Sequence, residues 1–382
     1  MEEWKEYKLG EILTIKYGKD HKRLAEGNIP IYGSGGIMRY GEESLYEGPS
    51  ILIPRKGSLN NIMYSDKPFW TVDTMFWTII NEDLANPLFV YYSICKKKFA
   101  SLNVGSAVPS LTVPVVEDID ILLPSKEIQN RIVTILKSLD DKIKVNRRIN
   151  DNLEQQAQAL FKAWFIDFAP FVSGDFVESE LGLIPKNWKV MSLSAIANYI
   201  NGLAMQKYRP TDGESGLPVL KIKELGQGRT DNSSELCSPS LIGSKYIIDD
   251  GDIIFSWSGT LMVKVWCGGK CGLNQHLFVV EPNNYPDWFA YLWTKHHLDN
   301  FIQIAKDKAV TMGHIKRGEL DKAKVVVPDE TNMATIDLMM KPVHNQIISN
   351  MKESRRLESL RDTLLPRLMS GELKVNEIEN VI

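Results

Sequence analysis

The sequence is poor in cysteine, in long apolar runs and in excess charge of either sign. Its 4 cysteines among 382 residues do not make a disulfide framework, which favours a reducing compartment. No stretch reaches the roughly 18 uninterrupted apolar residues of a membrane span. The first residues, MEEWKEYKLG, lack the basic-then-apolar pattern of a signal peptide. The sequence therefore predicts a cytoplasmic protein without a membrane partner.

The charge balance limits how this chain could bind a polyanion. The formal net charge is −3, and the composition (43% hydrophobic, 24% charged) is ordinary for a soluble protein. A nucleic acid would therefore be bound by local basic patches or with the help of another subunit. The length predicts two or three domains.

Catalytic and metal-binding motifs are also lacking. The glycine-rich YGSGG at 32–36 has no following Lys-Ser/Thr, so it predicts a turn near a binding surface rather than a phosphate loop. Cys267 and Cys271, with His276 nearby, lack a second pair at zinc-finger spacing, so buried thiols are favoured over a metal. His296 and His297 are expected at the solvated edge of a helix. No nucleophile elbow, HExxH or Asn/Asp-Pro-Pro-aromatic motif occurs, and we predict no catalytic site and no metal.

What the sequence does contain is an internal repeat. Four residues recur 184 positions later: Trp4 as Trp188, Leu9 as Leu193, Ile12 as Ile196 and Gly18 as Gly202. Further on, Gly48 and Gly251 align at a displacement of 203, and Pro124 and Pro328 at 204. The growing displacement predicts roughly twenty extra loop residues in the second copy, because loops tolerate insertions.

Each copy ends in a long stretch with apolar residues at heptad spacing, which predicts a pair of antiparallel helices within the chain. The first helix is expected from Lys126 to about Phe168, and Pro342 should kink the second helix or mark its start. Asparagines on the seam should fix register and orientation, since a slipped pairing would bury an unpaired amide. The predicted seam residues are Ile132, Leu136, Leu139, Ile143, Asn146, Asn150, Leu153, Leu160, Ile336, Met340, Val343, Ile347, Asn350, Leu357 and Leu364.

Between these helices, short β-rich and helical segments predict an α+β fold, with two globular α/β domains joined by the antiparallel coiled coil in a pseudo-two-fold repeat. The segments NPLFVYYSICKKKFASL and YPDWFAYLWTKHHLDNFIQIA are each predicted to form a helix that begins at a proline. The predicted bounds are 1–125 and 170–328 for the domains, 126–169 and 329–371 for the helices, and 372–382 for a tail.

Polar side chains suited to base edges and phosphates gather in the predicted loops. Any soluble surface carries such residues, so a DNA role and an ordinary solvated surface both stay open for each one. The candidates are Lys19, Lys22, Arg23, Arg55, Lys56, Ser58, Asn60, Asn61, Ser106, Ser110, Thr112, Lys207, Arg209, Lys221, Lys223, Arg229, Trp257, Ser258, Thr260, Thr311, His314, Lys316 and Arg317.

The layout resembles the specificity subunits of type I restriction–modification systems over nearly the whole chain. The strongest motifs are LPSKEIQNRIVTILKSLDDKIKVNRRINDNLEQQAQALFKAWFIDF, GLIPKNW and LESLRDTLLPRLMSGEL. The resemblance implies a non-catalytic subunit with two target-recognition domains that read a bipartite, gapped site in double-stranded DNA. It also implies two modification subunits that use S-adenosylmethionine and restriction subunits that use ATP and Mg²⁺, with no cofactor in this chain.

Two other classes of function stay open. One is a lone nuclease or methyltransferase with a diverged site, which would transfer methyl groups without partners. The other is a coiled-coil spacer or interaction module without intrinsic DNA specificity, which would show no sequence-selective binding.

Overall fold

The computed structural model describes residues 4–105, 108–307 and 313–379. The chain forms two compact units, and each long helix contributes to both of them. The first unit contains residues 1–141 and 358–382, and the second contains residues 142–357. The predicted domain bounds stay predictions, since these units divide the long helices rather than separate them from the domains.

The first unit is mixed, as the sequence predicts. Its strands are β1 Lys5–Lys8, β2 Leu13–Tyr17, β3 Ile29–Gly33, β4 Gly36–Gly41, β5 Ser50–Pro54, β6 Met63–Ser65, β7 Trp70–Thr71, β8 Met75–Ile80 and β9 Asp120–Leu123. Its helices are α1 Leu9–Ile12, α2 Pro87–Ile94 and α3 Val113–Glu117, followed by the long α4, Lys126–Phe161.

The second unit repeats this order with additions. Its strands are β10 Phe176–Ser179, β11 Gly182–Pro185, β12 Lys189–Ser192, β13 Ala197–Asn201, β14 Leu217–Leu220, β15 Leu236–Cys237, β16 Ile247–Ile248, β17 Ile253–Ser256, β18 Met262–Val265, β19 Cys271–Leu273, β20 Leu277–Pro282 and β21 Lys324–Val327. Its helices are α5 Leu193–Ile196, α6 Ile222–Gln227, α7 Asp287–His296, α8 Leu298–Asp307 and α9 Gly318–Lys322, followed by the long α10, Glu330–Met369. The last helix, α11 Val375–Glu379, belongs to the first unit.

The main sheets of the two units have the same topology and register. The strand order is β2-β8-β5-β6 in the first unit and β13-β20-β17-β18 in the second. Tyr17 lies opposite Phe76, and Asn201 lies opposite Phe278. The next strand pairs Ile53 with Phe76, and its counterpart pairs Phe255 with Phe278. Ile53 and Phe255 are 202 positions apart, so the predicted alignment of Gly48 with Gly251 at 203 is one residue out of register and is wrong.

The central strands β5 and β17 are buried along their whole length, which explains their continuous apolar sequences, SILIP and IIFS. The hydroxyl of Ser50 is compatible with this burial because it donates to the carbonyl oxygen of Thr78 at 2.7 Å. The α+β fold class is therefore confirmed, with each sheet supported by its own apolar core.

Helices depart from the sequence prediction in three places. The predicted helix after Asn86 ends at Ile94 and is followed by a short 3-10 turn, Phe99–Leu102, and the segment after Pro286 forms two helices that break at His297. Pro342 does not mark the start of the second long helix, because α10 runs without interruption from Glu330. The helix has 40 residues and continues on both sides of Pro342.

The first long helix ends close to the predicted residue. After Phe161 one π-helical turn, Lys162–Ile166, continues it, and Phe168 then adopts a left-handed φ of 52°. Trp164 and Phe165 of this turn are buried in the core of the second unit. The helix therefore ends where it is packed against a globular core.

The two long helices pack antiparallel within each unit. In the first unit Arg361 donates to Asp140 at 2.7 Å, and Asp140 also accepts a hydrogen bond from the hydroxyl of Tyr92 at 2.6 Å. In the second unit Asn350 donates to the side-chain oxygen of Asn150 at 2.8 Å. Because later residues of α10 meet earlier residues of α4, the helices run in opposite directions.

All the predicted seam residues are buried or half-buried. The amide group of Asn150 also donates to the carbonyl oxygen of Ile347 at 3.0 Å. Asn146 is 1% exposed and donates to Glu353 at 2.7 Å and to Ser354 at 3.4 Å. The repeat relates Asn146 to Asn350 and Asn150 to Ser354, so the two amide contacts are one contact repeated about the pseudo-two-fold relation of the helices.

Candidate nucleic-acid interface

In the first unit, two segments meet beyond the end of the central strand β5. The backbone N–H of Gly57 donates to the carbonyl oxygen of Pro109 at 3.2 Å, and that of Leu111 donates to Arg55 at 2.9 Å. Lys56 and Ser110 form an antiparallel backbone bridge between the same segments. These links hold the loop that follows β5 in a defined position, where it carries several of the predicted DNA-binding residues.

The second unit contains the same links at equivalent positions. The N–H of Gly259 donates to Gly313 at 3.0 Å, and the N–H of Ile315 donates to Trp257 at 3.1 Å. Ser258 and His314 form the corresponding backbone bridge. We refer to these linked segments, 55–57 with 109–111 and 257–259 with 313–315, as the loop frames.

A glycine completes each loop frame, Gly18 directly after β2 and Gly202 directly after β13. The N–H of Gly18 donates to Met75 at 2.9 Å, and the N–H of Gly202 donates to Leu277 at 3.0 Å. A Cβ at Gly18 would lie 2.0 Å from the carbonyl oxygen of Val72, and a Cβ at Gly202 would lie 2.3 Å from that of Asn274. Backbone of another strand occupies the space of a side chain, which gives the repeated glycine a physical reason.

The side chains that these frames present are different in the two units. In the first unit the guanidinium carbon of Arg55 lies 5.7 Å from the ring centroid of Tyr17. In the second unit the equivalent residues are Trp257 and Asn201, and the indole N–H donates to the amide oxygen at 2.9 Å. The first unit thus presents a charged donor, the guanidinium of Arg55, over an aromatic ring. The second unit presents an indole ring that is held by the amide oxygen of Asn201.

Trp257 belongs to a small aromatic group. Its ring is stacked on Phe278 with centroids 5.7 Å apart and an interplanar angle of 30°. The rings of His276 and His314 lie 6.1 Å and 6.3 Å away. This arrangement offers a flat, largely apolar surface with polar edges, which suits contact with a base.

Several predicted residues of the first unit have structural partners. The side-chain oxygen of Asn60 accepts from the N–H of Ala100 at 2.8 Å, and the amide of Asn61 donates to the carbonyl oxygen of Ser34 at 2.9 Å. Asn61 therefore ties the glycine-rich turn to the loop after β5. Exposed at the surface are Lys19, Lys22, Arg23, Lys56, Ser58 and Thr112, with Ser110 half-buried.

In the second unit, part of the predicted positive charge is paired. Glu235 lies 3.1 Å from Lys221 and 3.6 Å from Arg209, and the hydrogen bond from Lys221 lowers the pKa of Glu235. Arg317 donates to the carbonyl oxygen of Tyr199 at 2.5 Å. Ser258 is only 6% exposed, so its side chain lies below the surface that Trp257 presents.

Of the remaining predicted residues of the second unit, His314 belongs to the loop frame, whereas Lys223 lies in the extra loops. Lys223 donates to Ser233 at 3.4 Å within the extra loops. The exposed residues are Lys207, Arg209, Lys223, Arg229, Thr260, His314, Lys316 and Arg317. Thr311 and Ser106 lie outside the described residues.

Tyr17, Asn201 and His276 are interface candidates that the sequence prediction omitted. Tyr17 and Asn201 immediately precede the repeated glycines, Gly18 and Gly202, so the repeat itself could have pointed to them. No sequence signal links them to Arg55 and Trp257, because the strands that bring each pair together are distant in the chain.

The structure gives no support for a metal centre or a reactive thiol in the described ranges. These ranges contain no group of three or more His, Cys, Asp or Glu side chains arranged to hold a metal ion. Cys267 and Cys271 are buried, and burial raises their pKa to about 11 and about 12, so both are protonated thiols at neutral pH. Across those same ranges no helix is long and apolar enough to cross a membrane.

The predicted solvated edge at His296 and His297 needs a correction. His296 is exposed, whereas His297 is half-buried with its ring stacked on Trp293, at a centroid distance of 6.0 Å. Its Nε2 lies 2.9 Å from the carbonyl oxygen of Lys324, and burial lowers the pKa of His297 to about 4. His297 is therefore a neutral packing residue, which contacts Trp293 of α7 and Lys324 of β21.

Comparisons with known proteins bear directly on this duplicated arrangement. The chain is 27% identical over 342 residues to the type I restriction enzyme MjaIX specificity subunit of Methanocaldococcus jannaschii, covering 86% of this chain and 78% of that one. It is 22% identical to the HindI specificity subunit of Haemophilus influenzae, covering 98% of this chain and 100% of that one. Both relatives span both halves of the repeat.

A solved structure has the same fold. The S subunit of a type I restriction–modification system from M. genitalium matches with a TM-score of 0.59 and 16% identity, over 96% of each chain. The sequence profile of the type I restriction modification DNA specificity domain matches residues 1–155 and again residues 185–358. Each match includes one of the two main sheets with its loop frame. With both copies of its repeat matched, the chain belongs to the type I restriction–modification DNA specificity family.

Proposed function

We propose that this chain recognises a bipartite, asymmetric and gapped site in double-stranded DNA, one half-site by each loop frame. It is a non-catalytic component, as the specificity subunits of its family are. In this proposal it acts in the cytoplasm and directs two modification subunits and the restriction subunits to the site. S-adenosylmethionine, ATP and Mg²⁺ belong to those partners and not to this chain.

The observation that carries the proposal is the repeat of backbone links with different side chains. Gly57 and Gly259 hold the same backbone position in the two frames, yet the residues two positions before them are Arg55 and Trp257. Two frames of the same shape would approach DNA in the same manner, whereas different side chains would select different bases. The asymmetry of the proposed site follows from this difference.

The modest charge supports a role shared with partner subunits. With a net charge of −3, and with Arg209 and Lys221 paired to Glu235, the chain has no overall positive charge that would attract the DNA backbone. Affinity for phosphates would then come largely from the modification subunits around the DNA. The long helices α4 and α10, which run through both units, would join the two recognition sites and set the gap.

The test is to map DNA methylation in cells that express this chain together with its modification subunits. Residues 1–125 are replaced by the corresponding residues of another family member, and in a matched variant residues 170–328 are replaced instead. We expect the first exchange to change one half of the methylated motif and the second exchange to change the other half.

Each alternative function predicts another outcome. If both halves change in one exchange, the units are not independent recognition sites. If the chain acts only as an interaction module, no sequence-selective motif appears with the unmodified chain. Methyl transfer by the purified chain alone, given DNA and S-adenosylmethionine, would assign it a catalytic role.

A further inference from the structure

We propose that the residue pairs Tyr17–Arg55 and Asn201–Trp257 are the base-discriminating elements of the two loop frames, with Arg55 selecting a guanine and Trp257 selecting a thymine. This inference rests on the proposed DNA recognition and adds to it the residues and the bases. It concerns equivalent positions in two frames, so each frame serves as a reference for the other.

The side chain of Arg55 is oriented by its surroundings. Its Nε donates to the carbonyl oxygen of Asp73 at 3.2 Å, and its guanidinium carbon lies 5.7 Å from the ring centroid of Tyr17. Within the part of the chain that the structure describes, no ion pair engages Arg55. Its two terminal nitrogens therefore keep donors for the O6 and N7 atoms of a guanine, which arginine contacts in a bidentate manner.

The side chain of Trp257 offers a different surface. Its only polar atom, the indole nitrogen, donates to Asn201, so it has no free donor for a base edge. The ring is half-buried and is supported from below by Phe278. The exposed part of the indole is apolar, and the C5-methyl group of thymine is the apolar feature in the major groove.

Other polar residues near the frames are less suited to discriminate bases. Asn60 and Asn61 are bound to backbone groups of their own unit, and Arg317 is bound to the carbonyl oxygen of Tyr199. Exposed lysines such as Lys19 and Lys56 are suited to phosphates, where they add affinity without selecting a sequence. After these residues are set aside, the candidates for base discrimination are the oriented side chains at the equivalent frame positions 55 and 257.

The inference is tested by methylation mapping with the chain in its complex with the modification subunits. The variants are Arg55→Ala, Arg55→Lys and Trp257→Ala, with Arg367→Ala as the control because Arg367 is an exposed arginine of the same unit that is not among the candidate DNA-binding residues. We expect Arg55→Ala to reduce the preference for guanine at one position of one half-site on the order of 10-fold to 100-fold. Trp257→Ala should relax a thymine position in the other half-site only.

The Arg55→Lys variant distinguishes a loss of base recognition from a loss of folding. It keeps the positive charge over Tyr17 but lacks the planar fork, so it should relax the same guanine position while the rest of the motif stays sharp. Arg367→Ala should leave the whole motif unchanged. Melting temperatures of all four variants show whether each is folded.

The outcomes separate this inference from the proposed function. A sharp, unchanged motif in folded Arg55→Ala and Arg55→Lys overturns the assignment of Arg55, and an unchanged motif in folded Trp257→Ala overturns that of Trp257. Uniformly weaker methylation with an unchanged motif makes these residues phosphate contacts, and it also overturns the inference while leaving DNA recognition intact. The absence of any motif with the unmodified chain would instead refute the proposed function itself.

Discussion

The main sheets of the two units have the same strand order and register, whereas the segments between their strands differ in length. The parallel pair β3 and β7 matches β14 and β19, with Tyr32 opposite Thr71 and Leu220 opposite Leu273. From Tyr32 to Leu220 the displacement is 188, and from Thr71 to Leu273 it is 202. The second unit therefore places most of its extra residues between these strands, where α6, β15 and β16 lie. The frame is therefore the same in both units, whereas the loops and the exposed side chains differ.

The helix pair shows a second contrast between the units. In both units apolar residues of the pair belong to the same core as the sheet: Ile132, Leu136, Leu365 and Leu368 in the first, and Ala157, Phe161, Ile336 and Met340 in the second. The polar contacts differ, because Arg361 donates to Asp140 in the first unit, whereas Asn350 donates to Asn150 in the second. Apolar packing therefore stabilises the helix pair in both units, and hydrogen-bonded amides restrict its register in the second.

The largest effect is expected where the apolar seam is broken. Leu136→Asp would place a carboxylate at a position that is 0% exposed, which should destabilise the first unit by about 3–5 kcal/mol. Hydrogen exchange and urea unfolding of the full chain would measure this loss. Leu360→Asp is the matched control, because Leu360 is 42% exposed on the other long helix. Equal stability of the two variants would contradict a packed seam at Leu136.

A smaller effect is expected at the glycines that complete the loop frames. Gly18→Ala and Gly202→Ala would each press a methyl group against backbone carbonyl oxygens, so each should destabilise its own unit by about 2–3 kcal/mol. The controls are Gly35→Ala and Gly318→Ala, where an added Cβ meets nothing within 4 Å. Hydrogen exchange resolved by unit would show whether the two frames respond alike. A large difference between Gly18→Ala and Gly202→Ala would break the equivalence of the frames.

The smallest effect is expected at the amide pair. Asn350→Leu leaves the side-chain oxygen of Asn150 without its donor at 2.8 Å, which should lower the free energy of unfolding by about 1–2 kcal/mol. The double variant Asn150→Leu with Asn350→Leu removes both partners, so it should recover most of that loss. Asn345→Leu, at an exposed position of the same helix, is the control. Strictly additive effects in this double-mutant cycle would show that the two amides do not interact.

The periodic features of the fold could be predicted from the sequence. The heptad spacing predicts both long helices because side chains at that spacing share one face of a helix, and the structure has α4 and α10 there. The repeat of Trp4 and Gly18 as Trp188 and Gly202 predicts two similar units, which the two profile matches confirm. Local or periodic rules are sufficient for such predictions.

Features that depend on distant segments could not be predicted. The displacement of 202 between the central strands became visible only in the register of β5 and β17 with their neighbours, since at that displacement only Ile51 and Ile253 are identical in these strands. Pro342 is another example: the local rule predicts a kink or the start of the helix, but α10 begins at Glu330 and continues on both sides of Pro342, and packing against α4 outweighs the missing hydrogen bond.

The sequence by itself determined the family, the two copies of the repeat and the apolar seam with its asparagines, because each of these is written in residue identity at fixed spacing. Only the tertiary structure placed Arg55 over Tyr17 and fixed Trp257 with Asn201. Those pairs are brought together by strands that lie far apart in the chain, and hydrogen bonding across a sheet has no counterpart in local sequence. The candidate DNA-binding residues therefore became distinguishable only once their neighbours in space were known.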